Sequence, residues 1–215
     1  MTADSQGIVD AGFSLLYPLL QLLETLETAS PVKPNEVQTG AWENGYSAAI
    51  VVLSVFILEA AINRIRYFEG QEGSKPTEYF ATINPELAAD VDEVFALRDV
   101  IVHSHVWDVK TQHARGQGLK FIEEPKIRMA YGNKRFKKVV DPKSRLSWRL
   151  KLNFFPSRIW RQDAHIVLGT VKQALMALDS MKPAYRDMHN VSCLFRGQDV
   201  RFYEVIEEVL RPPHP

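Results

Sequence analysis

Residues 93–109, EVFALRDVIVHSHVWDV, decide how the chain is read. Most of the stretch is apolar at helical spacing, which predicts a buried helix. Yet four of the eight residues from 98 to 105 are ionisable: Arg98, Asp99, His103 and His105. At 100° per residue, Val91, Val94, Phe95 and Val102 share a stripe that Arg98 interrupts. Asp99 and His103, four apart, share one flank. Arg98 and His103 are five apart, about 140° around the axis, and do not face each other in one straight helix. A site using both is more easily built where two copies of the helix meet about a two-fold axis, and isologous dimers are the commonest assemblies.

Outward from this stretch the chain reads as more helices. Apolar residues at helical spacing over 8–29 (Phe13, Leu16, Leu19, Leu20, Leu23, Leu26) predict a helix despite Pro18. A turn-rich linker, SPVKPNEVQTG, follows at 30–40, and a helix from about Trp42 to Phe68 is apolar on every side in its middle, as a helix buried among others is. Its uncharged portion ends at Leu58, short of the roughly 20 residues a bilayer span needs, so it is assigned to the core and no membrane partner is expected. EGQEGSKPT at 69–77 breaks it. The third helix then begins near Pro85, a favourable first helical position, and runs to about Trp107. Helical spacing returns at Ala164, Val167, Leu168, Val171, Leu175 and Leu178, and a last short helix carries Phe202, Ile206 and Val209 with Asp199 as its cap.

Between these helices the pattern changes to alternation. KIRMAY and KRFKKVV flank Gly132-Asn133, a pair that tolerates the positive φ of tight hairpin turns. In SWRLKLNF, Trp148, Leu150, Leu152 and Phe154 alternate with Arg149, Lys151 and Asn153, which predicts a strand with one apolar and one basic face. Residues 110–161 contain fifteen Lys or Arg against three Asp or Glu, a balance of 15 − 3 = +12, whereas the remainder holds 11 − 23 = −12. The formal net charge of zero therefore conceals one basic segment. Two accounts are open: a solvated surface answered by the acidic remainder, or a surface for a polyanion, most plausibly nucleic acid. Trp107, Trp148, Trp160 and the Phe154-Phe155 pair are assigned to the core rather than to base stacking, since large aromatics dominate burial.

The expected fold is mainly α: a bundle of four to five helices in a single domain, residues 1–215. A small basic antiparallel β insert over 111–156 lies between the third and fourth main helices. The N-terminus has no basic region ahead of an apolar run, so no secretory signal is expected. The single Cys193 excludes an internal disulfide, and no Cys/His spacing suggests a metal site. A cytoplasmic location is expected.

The RDVIVH run resembles the Arg–polar–x3–His signature of HEPN (higher eukaryotes and prokaryotes nucleotide-binding) domains, with Asp99 in the polar position. The likeness extends to the helices over roughly 8–107 and 160–182; the β insert lies outside the common core. The resemblance implies a dimeric, metal-independent endoribonuclease without a cofactor, of toxin or defence type, with both motifs lining an interface cleft. It implies His103 as the acid/base group, Arg98 as the phosphate clamp and Asp99 as the residue orienting His103. Histidine exchanges protons near neutral pH and arginine meets phosphate with a planar fork, so the chemistry suits these residues. Some members are controlled by an antitoxin that adenylylates a Tyr two residues beyond the motif His. His105 stands there, which argues against that control and leaves His105 as an auxiliary proton-transfer group. The other reading is a non-catalytic dimeric module binding RNA, a nucleotide or a protein partner.

Two weaker sets complete the candidates. Glu59 and Asn63 lie one turn apart on the second helix; Glu59 either pairs with Arg98 or sits at an exposed edge beside Arg66 or another base, the second being preferred. Lys126, Arg128, Arg149 and Lys151, on the expected strand faces, are the candidate RNA-binding residues.

Overall fold

A computed structural model describes residues 11–31, 43–103, 106–114, 118–185, 188 and 191–211. Helix α1 (Ala11–Thr28) continues through Pro18 and buries Leu16, Leu19, Leu20, Leu23 and Leu26. It packs on α2 (Glu43–Phe68), the axle of the bundle, which also meets α3 (Pro76–Ile83), α4 (Ala88–His103) and α6 (Arg161–Met181). By length and composition α2 is apolar enough to cross a membrane. Here it lies among other helices, with Ile50, Val51, Val55, Leu58 and Ile62 at 0% exposure.

Helix α3 was not expected: it starts at the end of the expected 69–77 break and fills 78–83, which carried no assignment. The turn before it is real: the buried Arg66 donates from Nη2 to Glu72 O at 2.8 Å and also binds Ser74 and Asn63 Oδ1. The helix starts at once after this turn, with Pro76 in its first turn and the Glu78 carboxylate accepting from Lys75 N at 3.4 Å. Burial of Tyr79 and Phe80 then outweighs the local breakers. Helix α4 begins at Ala88 instead of Pro85 and ends at His103, because Trp107 leaves the helix to pair as a strand.

Small antiparallel pairs follow α4, as expected. Strand β1 (Trp107–Asp108) pairs with β4 (Lys126–Ile127), and β2 (Thr111–Ala114) pairs with β3 (Gly118–Phe121). The hairpin expected across Gly132-Asn133 does not form. Met129–Tyr131 makes a 3-10 turn, and Lys134–Val139 is a helix, α5, whose cap Asn133 accepts from Phe136 N at 2.8 Å. Gly132 has φ −69°, so its role is space: a Cβ there would lie 2.2 Å from the Phe136 ring. Nor does 147–154 form a strand. Lys151 adopts φ 59°, which breaks the alternation, and only isolated bridges remain, Val140 to Ser147 and Leu146 to Asn153.

Two buried carboxylates fasten this irregular segment to the bundle. Glu93 of α4, 2% exposed, accepts from the backbone N–H of Arg149 and Leu150, both at 2.8 Å. Asp163 of α6 accepts from Asn153 N and Trp160 N, both at 2.8 Å, and burial still pushes its pKa above the usual carboxylate value. The rings of Trp107, Phe121 and Phe155 stack edge to face beside them, and Trp107 Nε1 donates to Phe154 O at 3.2 Å. One buried cluster runs from the helices into the insert.

An unexpected hairpin precedes the last helix, β5 (Ser192–Phe195) with β6 (Gln198–Arg201), turning through Arg196 and Gly197 at φ 49° and 75°. Asp199 lies in β6 and is not a cap; Arg201 is the residue that precedes α7 (Phe202–Leu210).

Candidate functional site

Burying an arginine on an apolar stripe demands compensation, since an unpaired buried charge is costly. Arg98 is 9% exposed, and two rings and two carboxylates answer it. Its guanidinium lies over the rings of Phe56 on α2 and Phe95 on α4, at 5.0 and 5.3 Å. Nη1 donates to Glu59 Oε2 at 2.8 Å and Nε to Asp99 Oδ1 at 2.9 Å. Nη2 has no hydrogen bond among the described residues, which leaves one edge of the fork uncommitted. The preferred placement of Glu59 beside Arg66 is therefore overturned: α2 and α4 pack so that Glu59 reaches Arg98. Asn63 is exposed and serves Arg66, one turn along, and does not join this group.

The second carboxylate oxygen of Asp99 meets a residue the sequence did not single out. Arg135, on α5, donates from Nη1 to Asp99 Oδ2 at 3.1 Å and from Nη2 to Thr77 Oγ1 at 3.1 Å. Its guanidinium also covers Phe95 at 5.4 Å, and Nε lies 3.8 Å from Asp92 Oδ1. Lys138, one turn further along α5, donates to Asp92 Oδ2 at 2.7 Å. The signal for α5 was present: Phe136, Val139 and Val140 fall at i, i+3 and i+4 behind a capping Asn133. Alternation in the preceding KIRMAY and the Gly-Asn pair obscured it.

His103 is the last residue of α4 and is exposed, as is the neighbouring Val102. Both Asp99 oxygens accept from arginines, Oδ1 from Arg98 and Oδ2 from Arg135. His105 lies outside the described residues.

The expected RNA-binding residues do not share a strand face: Lys126 lies in the two-residue β4, Arg128 falls just beyond it, and the strand that would carry Arg149 and Lys151 does not form. Lys126 sits 3.3 Å from Glu123, which also meets Lys110 at 3.1 Å. Arg128 lies over the exposed ring of Tyr131 at 4.7 Å. Arg149 Nε donates to Asp90 at 2.6 Å, and Lys151 Nζ donates to Trp148 O at 2.7 Å. Arg145 and Arg158 converge on Glu124 at 2.9 Å each, and their hydrogen bonds, Arg158 foremost, hold its carboxyl down to about 2. Much of the basic segment thus answers acids on α4 and within itself. Trp107, Phe154 and Phe155 are buried as expected, but Trp148 and Trp160 are 51% and 39% exposed, since the loop turns them outward.

A cavity of about 550 Å³ lies elsewhere, between the end of α2, α3 and the end of α6, where Glu69 Oε2 accepts from Tyr79 Oη and Oε1 from Lys182 Nζ, both at 2.6 Å. Among the described residues, no group of three or more His, Cys, Asp or Glu is placed to hold a metal ion. Comparison with family models, with curated proteins and with solved structures finds no match.

Proposed function

We propose that the chain is a HEPN-type, metal-independent endoribonuclease acting as a homodimer. The observation that carries this reading is Arg98 itself: a guanidinium fixed by two carboxylates and two rings, with one edge uncommitted, on the helix that ends in exposed His103. Such a fork is oriented before a phosphate arrives, which lowers the cost of binding it. In the reaction, a base removes the proton of a ribose 2′-OH and the 2′-oxygen bonds to phosphorus. The P–O5′ bond breaks, and an acid protonates the departing 5′-oxygen, leaving a 2′,3′-cyclic phosphate and a 5′-OH. His103 supplies the acid/base group. Arg98 supplies charge for the phosphorane-like transition state.

The dimer places Arg98 of one protomer opposite His103 of its partner. Phe56 and Val102 flank Arg98 and are 38% and 53% exposed, an apolar rim suited to a second copy. A toxin or defence role in the cytoplasm, with an antitoxin or regulatory partner, follows from the same resemblance. A second reading, a non-catalytic dimeric module that binds RNA, a nucleotide or a protein, is favoured by one fact: Nε and Nη1 of Arg98 and both oxygens of Asp99 are already engaged in ion pairs.

The deciding experiment is RNA cleavage by purified protein in excess EDTA, with Arg98→Ala and His103→Ala alongside. Cleavage that both substitutions abolish, leaving 2′,3′-cyclic phosphate ends, supports the ribonuclease. RNA that is bound but intact supports the module, and cleavage untouched by both substitutions overturns the site.

A further inference from the structure

Asp92, Asp99 and His103 fall within about 40° of one another around α4 at 100° per residue, whereas Arg98 lies about 140° from His103. Arg135 straddles that same flank, since its contacts are Asp92, Asp99 and the Phe95 ring between them. His103 stands one turn beyond Asp99 on the line Arg135 covers, about 6 Å further along the axis.

We infer that Arg135, delivered by the insert helix α5, is a second phosphate-binding arginine, and that it gives each protomer its own Arg–His pair on one face of α4. The inference rests on the ribonuclease reading and extends it to a residue outside the motif. Three features separate Arg135 from a mere strut. An arginine fork carries five N–H donors, and the hydrogen bonds here use one on each terminal nitrogen. The Thr77 hydroxyl and the Phe95 ring fix the plane of the fork, so the remaining donors are oriented in advance. The side chain is also more open than that of Arg98, 23% against 11% exposed, at the rim where a strand reaching His103 would pass. The insert then has a purpose: it is the arm that sets Arg135 against Asp99. In a dimer the scissile phosphate would meet Arg98 from one protomer and Arg135 beside the His103 of the other.

The test uses the full chain and a fluorescein-labelled single-stranded RNA, comparing the parent with His103→Ala, Arg98→Ala, Arg135→Lys and Arg135→Gln. Cleavage, binding across salt concentrations and melting temperature are measured for each. Lys keeps the charge and loses the fork, so Arg135→Lys is expected to lower kcat/KM at least tenfold while melting close to the parent. Arg135→Gln should lower the slope of log K against log salt by about 0.7, one phosphate contact on a single strand. If Arg135→Gln does not fold, Thr77→Val releases the fork without removing charge and should reduce cleavage with the slope kept. Should His103→Ala and Arg98→Ala abolish cleavage while the Arg135 variants cleave and bind as the parent does, Arg135 is a strut and the ribonuclease stands. Should the parent bind RNA without cleaving it, the ribonuclease reading fails and the salt slope alone decides Arg135: a lost contact supports it, an unchanged slope overturns it. A parent that neither cleaves nor binds overturns both.

Discussion

Asp99 and Arg135 meet at 3.1 Å across 36 residues of sequence, and the other oxygen of the same carboxylate accepts from its neighbour Arg98 at 2.9 Å. One carboxylate thus holds two arginines from different elements, the motif helix and the insert. Neither α4 nor α5 could fix both forks alone. The consequence is that the insert is wired to the motif through a single side chain.

Replacing Asp99 with Asn removes the charge that both guanidiniums share while keeping the shape. Stability is expected to fall by about 1–2 kcal/mol, less than for a fully buried pair because the side chain retains some exposure. Urea unfolding followed by far-UV circular dichroism measures it. Glu59→Gln, which removes the other carboxylate on Arg98, should cost a similar amount; a loss under about 0.3 kcal/mol in both would show that the pairs are dispensable.

Glu93 fastens the insert to α4 through two backbone N–H groups. Truncation to Ala orphans the N–H groups of Arg149 and Leu150 in a part-buried setting, at about 1–3 kcal/mol each. Glu93→Ala is therefore expected to destabilise by more than about 2 kcal/mol and to expose the 141–158 loop to trypsin at the lysines and arginines it contains. A digestion pattern identical to the parent's would contradict this.

Gly132 tests helix against hairpin. Gly132→Ala places a Cβ into the Phe136 ring and should destabilise by about 1–3 kcal/mol, as overpacking does. Asn133→Ala removes the cap of α5 at about 1 kcal/mol. A Gly-Asn hairpin turn would instead tolerate Asn133→Gly well, so Asn133→Gly gaining stability would favour the hairpin.

Acid should loosen the insert through Glu124. Its carboxyl titrates near 2 in the folded chain, below the ordinary 4.5, because Arg158 and then Arg145 bind the ionised form. A depressed carboxylate contributes stability that is fully present above the unfolded value and is lost as pH falls from 4.5 toward 2. Thermal melts of parent and Glu124→Gln should therefore differ at pH 7 and converge by about pH 2. Equal melting temperatures at pH 7 would show that the pair contributes nothing.

The long helices were legible because their information is local. Apolar spacing in α1, α2, α4 and α6 demands one buried face or, in α2, burial all round, and the sequence alone sets that. The Arg98–Asp99–His103 spacing was equally plain. The excess charge of 110–161 could be counted but not placed, because a charge shows no partner until the chain has folded. Tertiary packing brought Asp90, Asp92 and Glu93 of α4 under Arg149, Lys138 and the 149–150 backbone, turning part of the basic segment to internal pairing. It also chose Glu59 for Arg98 over a local edge, and it made α5 from residues whose alternation upstream suggested strands. Those outcomes depend on contacts 39 to 59 residues apart, from Glu59 to Arg98 and from Asp90 to Arg149, and on burial that short-range periodicity does not encode. The motif was written locally, but which arginines flank it was decided by the fold.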